Sequence, residues 1–188
     1  MKVLIYMIVL FFSLASCRSK PYTKPTCTEI EAIMESDQQY RSDYRTSAFF
    51  TVADSLARAK YGDKMIPDDV GEFMKEAHDI TQGRPASDFI DVSVADSLWA
   101  LQSIIDKQNI ERLLEIFEHS TRAELKELEC LKNQSLLPFV HATEPFYASV
   151  RKCIDKHKDF IGFNRYRHIR WNLDGRKEHI TEEMFVEL

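Results

Sequence analysis

Glycine and proline are scarce in this chain of 188 residues, with five of the first and six of the second. So few turn-formers, and so little alternation of apolar with polar residues, exclude a sheet protein built from many short strands. The longest unbroken apolar run is Val3 to Phe12, well short of the roughly 20 residues that a membrane-spanning helix needs. There is no G-x-S-x-G elbow, no phosphate-cradling glycine loop and no H-E-x-x-H. Nor do cysteine and histidine fall at the close spacing of a zinc site. Neither a metal nor a cofactor is therefore expected. Basic residues do not predominate either: 25 Lys and Arg stand against 30 Asp and Glu, and a mildly acidic balance argues against a nucleic-acid partner.

What is present begins at the N-terminus. Met1-Lys2 places one positive charge before the apolar run, and Ser13-Leu14-Ala15-Ser16-Cys17 follows it. A charged start, a short apolar centre and small residues before a cut site describe an export signal over residues 1–16. Leu14-Ala15-Ser16-Cys17 resembles the lipobox of bacterial lipoproteins, in which the cysteine is acylated and the chain is cut just before it. That likeness implies lipidation of Cys17 and attachment of the mature chain to a membrane through its acyl groups. No aspartate and no acidic cluster follows Cys17, which favours the periplasmic face of the outer membrane. Residues 17–25 hold two prolines and read as a short tether, and residues 26–188 as one domain.

The mature chain, residues 17–188, has 172 residues, enough for a single domain with a sizeable core. With Cys17 lipidated, Cys27, Cys130 and Cys153 remain, so at least one stays unpaired. Cys130 with Cys153 is the preferred bridge because both belong to the helical body; all three staying reduced is the alternative.

Apolar residues recur at intervals of three and four, the helical period, and the expected fold is an all-α multi-helix bundle. Thr26 with Glu29 fits a capping box opening a helix that runs to about Ser47. A second covers Phe49 to Tyr61, ended by Gly62. Pro67-Asp68-Asp69 opens a third, which closes at Gly83. Ser93 with Asp96 starts a long stretch, Val94 to Glu118, and Thr121 with Glu124 a short helix ending near Asn133. Pro138 suits the first turn of the next, which reaches about Lys158 with an interruption at Pro145. A last helix covers Phe163 to Leu173 and stops at Gly175.

Several polar residues stand where this period calls for apolar ones. On the first helix, Asp37 and Arg41 follow Ile30, Ile33 and Met34 on the core stripe. Four apart, they are placed to pair with each other across one turn. Burying charge is costly unless it is paired, so the pair is either a structural ion pair that fixes helix docking or the lining of a pocket. In the long stretch, Leu98, Leu101 and Ile105 lead at the same spacing to Asn109 and Leu113. Asp106 either faces the same way as Asn109 or serves as the N-cap of a separate helix. His141 precedes Pro145 by four. In a continuous helix that proline frees the His141 carbonyl beside its own imidazole; otherwise Pro145 begins a fresh helix capped by Thr143.

Asp37-Gln38-Gln39-Tyr40-Arg41, Asp106-Lys107-Gln108-Asn109 and His141-Ala142 resemble a family of small, often exported bacterial proteins known as a domain of unknown function. Its members carry D-Q-x-x-R, D-x-x-N and a later histidine before a small residue. The likeness spans about Glu29 to Arg176. It departs at Phe117-Glu118-His119-Ser120, where a glycine-tryptophan-proline turn is expected, and at Val140, where glutamine is expected. It implies that these residues belong together and brings no activity with it.

The C-terminal third differs in charge. Residues 151–179 hold nine Lys and Arg against four acids, while residues 18–150 sum to −8. Phe163, Tyr166 and Trp171 interleave with Arg165, Arg167, Arg170 and Arg176. Such a face suits an anionic envelope component, a lipid headgroup or a phosphate; alternatively it neutralises the acidic remainder of the domain.

The sequence thus points to a lipid-anchored envelope protein that binds or supports something at Asp37, Arg41, Asp106, Asn109 and His141. In that site Arg41 holds an anionic group and Asn109 orients it. A hydrolase with His141 as general base, oriented by Asp37 or Asp106, is the rival reading. A module that meets envelope phosphates through Arg165–Arg176 is the third.

Overall fold

The computed structural model describes residues 22–41, 43–62, 72–132, 136–177 and 180–187. The expected export signal, Cys17 and the helix start expected at Pro67-Asp68-Asp69 lie outside those residues. The chain is all-α, with no strand among the described residues. None of the described helices is long and apolar enough to cross a membrane.

Thr26 opens α1 (Cys27–Asp37), its Oγ1 accepting from the Glu29 amide at 3.2 Å. The other half of the expected capping box is missing, because the Glu29 carboxylate reaches Arg112 Nε at 2.7 Å instead. Ile30, Ile33 and Met34 enter the core as expected. The helix stops at Asp37, well before Ser47. The amides of Gln38 and Gln39 fall back on the carbonyls of Glu35 and Ser36 at 3.1 Å, and the Tyr40 amide turns to Gln102 Oε1 at 2.9 Å. A side chain 62 residues away thereby ends the i→i−4 ladder.

A 3-10 turn at Tyr44–Thr46 leads to α2 (Ala48–Tyr61), capped by Ser47 and ended by Gly62 at φ +63°. There only glycine turns freely into the left-handed region. Ala53 and Ala57 are fully buried where α2 packs on α3 (Met74–Thr81), which buries Ala77; small residues let the two backbones approach.

The longest element is α4 (Val92–His119), 28 residues, or about 42 Å at 1.5 Å per residue. Asp91, not Ser93, caps it, Oδ1 accepting from the amides of Ser93 at 2.9 Å and Val94 at 3.3 Å. Asp106 lies inside this helix, so it caps no separate one. Thr121 and Glu124 form the expected capping box of α5 (Arg122–Glu127). Instead of running on to Asn133 that helix breaks at Leu128, and α6 (Glu129–Lys132) follows. Pro138 sits in the first turn of α7 (Leu137–Val140). The interruption at Pro145 is a 3-10 turn, Glu144–Phe146, before α8 (Tyr147–Lys156); Thr143 precedes it without a side-chain cap. Then come α9 (Lys158–Ile161), α10 (Phe163–Leu173) and an unforeseen α11 (Glu182–Glu187).

The core gathers around Phe117, whose ring meets Phe139 at 5.8 Å and Phe160 at 6.0 Å. Tyr166, Ile154, Leu125 and Ile30 close it from four other helices.

The disulfide joins Cys27 to Cys130, with Cα atoms 5.5 Å apart, and Cys153 is free. This corrects the expected Cys130–Cys153 bridge and its all-reduced alternative. Cys27 opens α1, and α6 packs against α1, so Cys130 meets a residue 103 positions away in sequence.

Residues 22–25 lie against the domain. Tyr22 Oη and Ser120 Oγ are 3.1 Å apart, and the Tyr22 ring meets His119 at 4.8 Å. The Arg112 guanidinium stacks over Tyr22 at 5.7 Å and donates to the Thr23 carbonyl at 2.9 Å.

Candidate functional site

The site forms where the C-terminal end of α1 meets the middle of α4 and the end of α7. A helix leaves its last carbonyls without partners and its negative end exposed. Here α4 supplies the missing donors. Asn109 Nδ2 donates to the Ile33 carbonyl at 3.1 Å, and Gln102 Nε2 to the Asp37 carbonyl at 3.0 Å. Arg41 Nε donates to the same Asp37 carbonyl at 3.1 Å.

With the helix ended, the predicted pairing exchanges partners. Arg41 does not meet the Asp37 carboxylate; its Nη2 donates to Asp106 Oδ2. The pair is largely buried, with side chains 18% and 10% exposed, and Gln102 Nε2 holds the other Asp106 oxygen at 2.8 Å. The guanidinium carbon of Arg41 lies 5.6 Å from the Trp99 ring centre, a cation–π contact on one face.

Asp37 turns to His141. Its Oδ2 lies 2.8 Å from His141 Nδ1 and accepts from Gln38 Nε2 at 2.6 Å. The Asp37 side chain is 0% exposed and the His141 side chain 27%. Oδ1 of Asp37 is buried and meets no donor among the described residues. A carboxylate only accepts, so Nδ1 donates, and a neutral ring then carries its lone pair on Nε2. His141 itself is fixed from behind: it closes α7, its amide donating to the Leu137 carbonyl at 2.9 Å. Asn172 of α10 holds the preceding carbonyl, that of Val140. The carbonyl opening expected of a continuous helix through Pro145 does not arise, since α7 ends at Val140.

All five sequence-predicted residues thus come together. They do not stand alike. The Asn109 amide group is spent on the Ile33 carbonyl and on Ser36 Oγ at 3.0 Å, which leaves it no free donor to orient a ligand. Asp106 is engaged by Arg41 and Gln102, so Asp37 is the carboxylate that orients His141.

Gln102, fully buried, was missed. Its signal was its place on the stripe Leu98, Gln102, Asn109, Leu113, at the same spacing that drew attention to Asn109. Leu101, set on that stripe by the sequence reading, is 46% exposed.

The basic face divides in two. Arg165 turns inward and donates to the carbonyls of Ile161, Leu131 and Phe160 at 2.6, 3.1 and 3.1 Å; burial lowers its pKa. Arg170 pairs with Asp174 at 3.3 Å and Asp155 at 3.4 Å. Asp155 also accepts from Tyr166 Oη at 2.6 Å, and burial pushes that phenol up to about 12. Arg167 and Arg176 are exposed, stacked over Phe163 at 5.2 Å and Trp171 at 5.3 Å. Neutralisation within the domain therefore accounts for Arg170, and two of the four arginines face solvent. Among the described residues no group of three His, Cys, Asp or Glu is placed to hold a metal.

Comparison with protein-family models, with curated proteins and with solved structures finds no match.

Proposed function

We propose that the chain is a lipid-anchored protein of the bacterial cell envelope, held through acylated Cys17 at the periplasmic face of the outer membrane. Its helical domain binds a small polar ligand at the Asp37–His141 pair. The observation that carries the binding reading is the asymmetry of that pair. A wholly buried carboxylate fixes one imidazole nitrogen, while the His141 side chain keeps 27% of its surface exposed. Arg41, one of whose faces is stacked on Trp99, is the adjacent cation for an anionic group. The likeness to the exported D-Q-x-x-R proteins belongs to the same proposal, since it groups these residues.

Two experiments test it. Cys17→Ser abolishes fatty-acid labelling of the chain; label that persists in the variant overturns the anchor. Inorganic phosphate and acetate, titrated separately into the protein, shift the His141 ring resonances saturably, and Arg41→Gln weakens the effect. A ring that responds to neither anion overturns the anionic-ligand site.

A second reading rests on the same 2.8 Å contact. An imidazole oriented by a buried carboxylate is built as a general base, and such a base contributes typically 10²–10⁴-fold to rate. In a hydrolase His141 Nε2 would take the proton of an attacking water, with Asp37 steadying the ring. Turnover of a simple ester or phosphoester that falls with His141→Gln supports this; turnover unchanged in that variant removes it.

A further inference from the structure

Away from the polar site, α4 and α8 enclose a cleft of about 300 Å³. Its apolar lining is Leu114 from α4 and Cys153 from α8, with the buried Phe117 behind them; Ser149 and His157 also line it. Its rim is charged. Lys152 and Lys156 are exposed, and neither pairs with a carboxylate among the described residues. Glu118 is the acid on the same rim. A second cleft of about 350 Å³ adjoins the first, sharing Lys156 and His157. There Arg122 and Asp159 neutralise each other at 3.3 Å, so the unpaired positive charge belongs to the two lysines.

An apolar trough edged by two free ammonium groups fits a molecule with a hydrocarbon chain and one negative end. A purely apolar ligand would leave the lysines idle, and a compact anion would leave the trough empty. The second cleft also lies beside the N-terminal segment: Ser120, which lines it, is the residue that meets Tyr22 Oη. Tyr22 is five positions from Cys17 in sequence, a span of at most about 17 Å. This placement near a membrane rests on the lipoprotein reading; binding in the cleft does not.

We propose that the α4–α8 cleft binds a single-chain anionic lipid of the fatty-acid class. The chain lies against Leu114 and Cys153, and the carboxylate meets Lys152 and Lys156.

Cys153 supplies the readout. With Cys17 replaced by serine in the mature chain (residues 17–188), Cys153 is the one thiol outside the disulfide. Burial pushes it up to about 12, so alkylation by iodoacetamide is slow and is followed by mass spectrometry of the Cys153 peptide. Laurate below its micellar concentration slows that alkylation saturably; dodecyl maltoside, a neutral amphiphile of the same chain length, does not at equal concentration. Lys152→Gln/Lys156→Gln raises the laurate concentration needed for half-maximal protection by about fivefold, as expected for two exposed charge pairs; each form is compared with its own rate without laurate, because Lys156 also acts on the Cys153 thiol. Calorimetric titration of laurate into both forms gives the same ranking without relying on the thiol. Equal protection by the neutral amphiphile, or none by laurate, overturns the proposal. Because the variant carries no Cys17, its result is independent of fatty-acid labelling.

Discussion

Asp37 Oδ2 and His141 Nδ1 stand 2.8 Å apart across 104 positions of sequence. The contact joins the end of α1 to the end of α7, with the carboxylate sealed from solvent and the imidazole at its edge. A buried carboxylate at the negative end of a helix is unfavourable on two counts, burial and dipole. Hydrogen bonds from His141 and Gln38 are what offset it.

Replacing Asp37 by alanine removes the acceptor for both donors while keeping α1 helical. The expected loss is about 1–3 kcal/mol, because the half-buried His141 ring loses the acceptor that holds it. Urea unfolding measures it. A loss below about 0.5 kcal/mol, the level of an ordinary surface substitution, would show that the pair carries no weight.

Arg41 and Asp106 depend on each other. Arg41→Met leaves Asp106 largely buried with only Gln102 as donor, and the loss is about 3 kcal/mol, in the range for breaking one side of a buried pair. Arg41→Met/Asp106→Leu recovers most of it, because no uncompensated charge is left. The double-mutant cycle by chemical denaturation checks this; strictly additive losses would contradict the pairing.

Much of this cluster was legible in the sequence, and its wiring was not. Asp37, Arg41, Asp106, Asn109 and His141 interrupt apolar spacing, and buried polar groups must meet partners, so their convergence followed. The choice of partners did not, because it turns on where α1 stops. Gln102 stops it, from an element far along the chain, and local pattern contains no trace of that bond. The same limit explains the disulfide: Cys27 and Cys130 are neighbours through packing of α1 on α6, not through sequence. Helix ends governed by local chemistry, at Gly62, Thr121–Glu124 and Gly175, were readable because the cap lies within a few residues of what it caps. The inward turn of Arg165 toward three carbonyls had no local signal.

The Cys27–Cys130 bridge closes a loop of 103 residues. Chain-entropy bookkeeping for about 100 residues gives roughly 4.7 kcal/mol. Reduction, or Cys27→Ser/Cys130→Ser, lowers the denaturation midpoint accordingly, and Cys153→Ser leaves this sensitivity to reductant intact. A midpoint indifferent to reductant would contradict the bridge.

Stability also depends on pH through His157. Burial lowers its pKa below the ordinary 6.5, with Lys156 adding to the effect. The unfolded chain therefore takes up the proton first, and stability rises with pH wherever the unfolded state binds more protons. The His157 contribution is complete above about pH 6.5 and is lost progressively as the pH falls from there toward the folded-state value. Glu29, held below its ordinary 4.5 by Arg112, acts in a more acidic window. Thermal midpoints between pH 7.5 and 5 fall in the wild type and flatten in His157→Gln; parallel curves for the two would contradict this assignment.

The most direct test of the site is the tautomer of His141, read from the nitrogen-15 shifts of its ring at alkaline pH. The contact with Asp37 requires the proton on Nδ1 and a bare Nε2. In Asp37→Ala the ring relaxes toward the Nε2-protonated form. If Nε2 carries the proton in the wild-type protein, Asp37 does not hold the ring, and the binding and hydrolase readings of this site fail together.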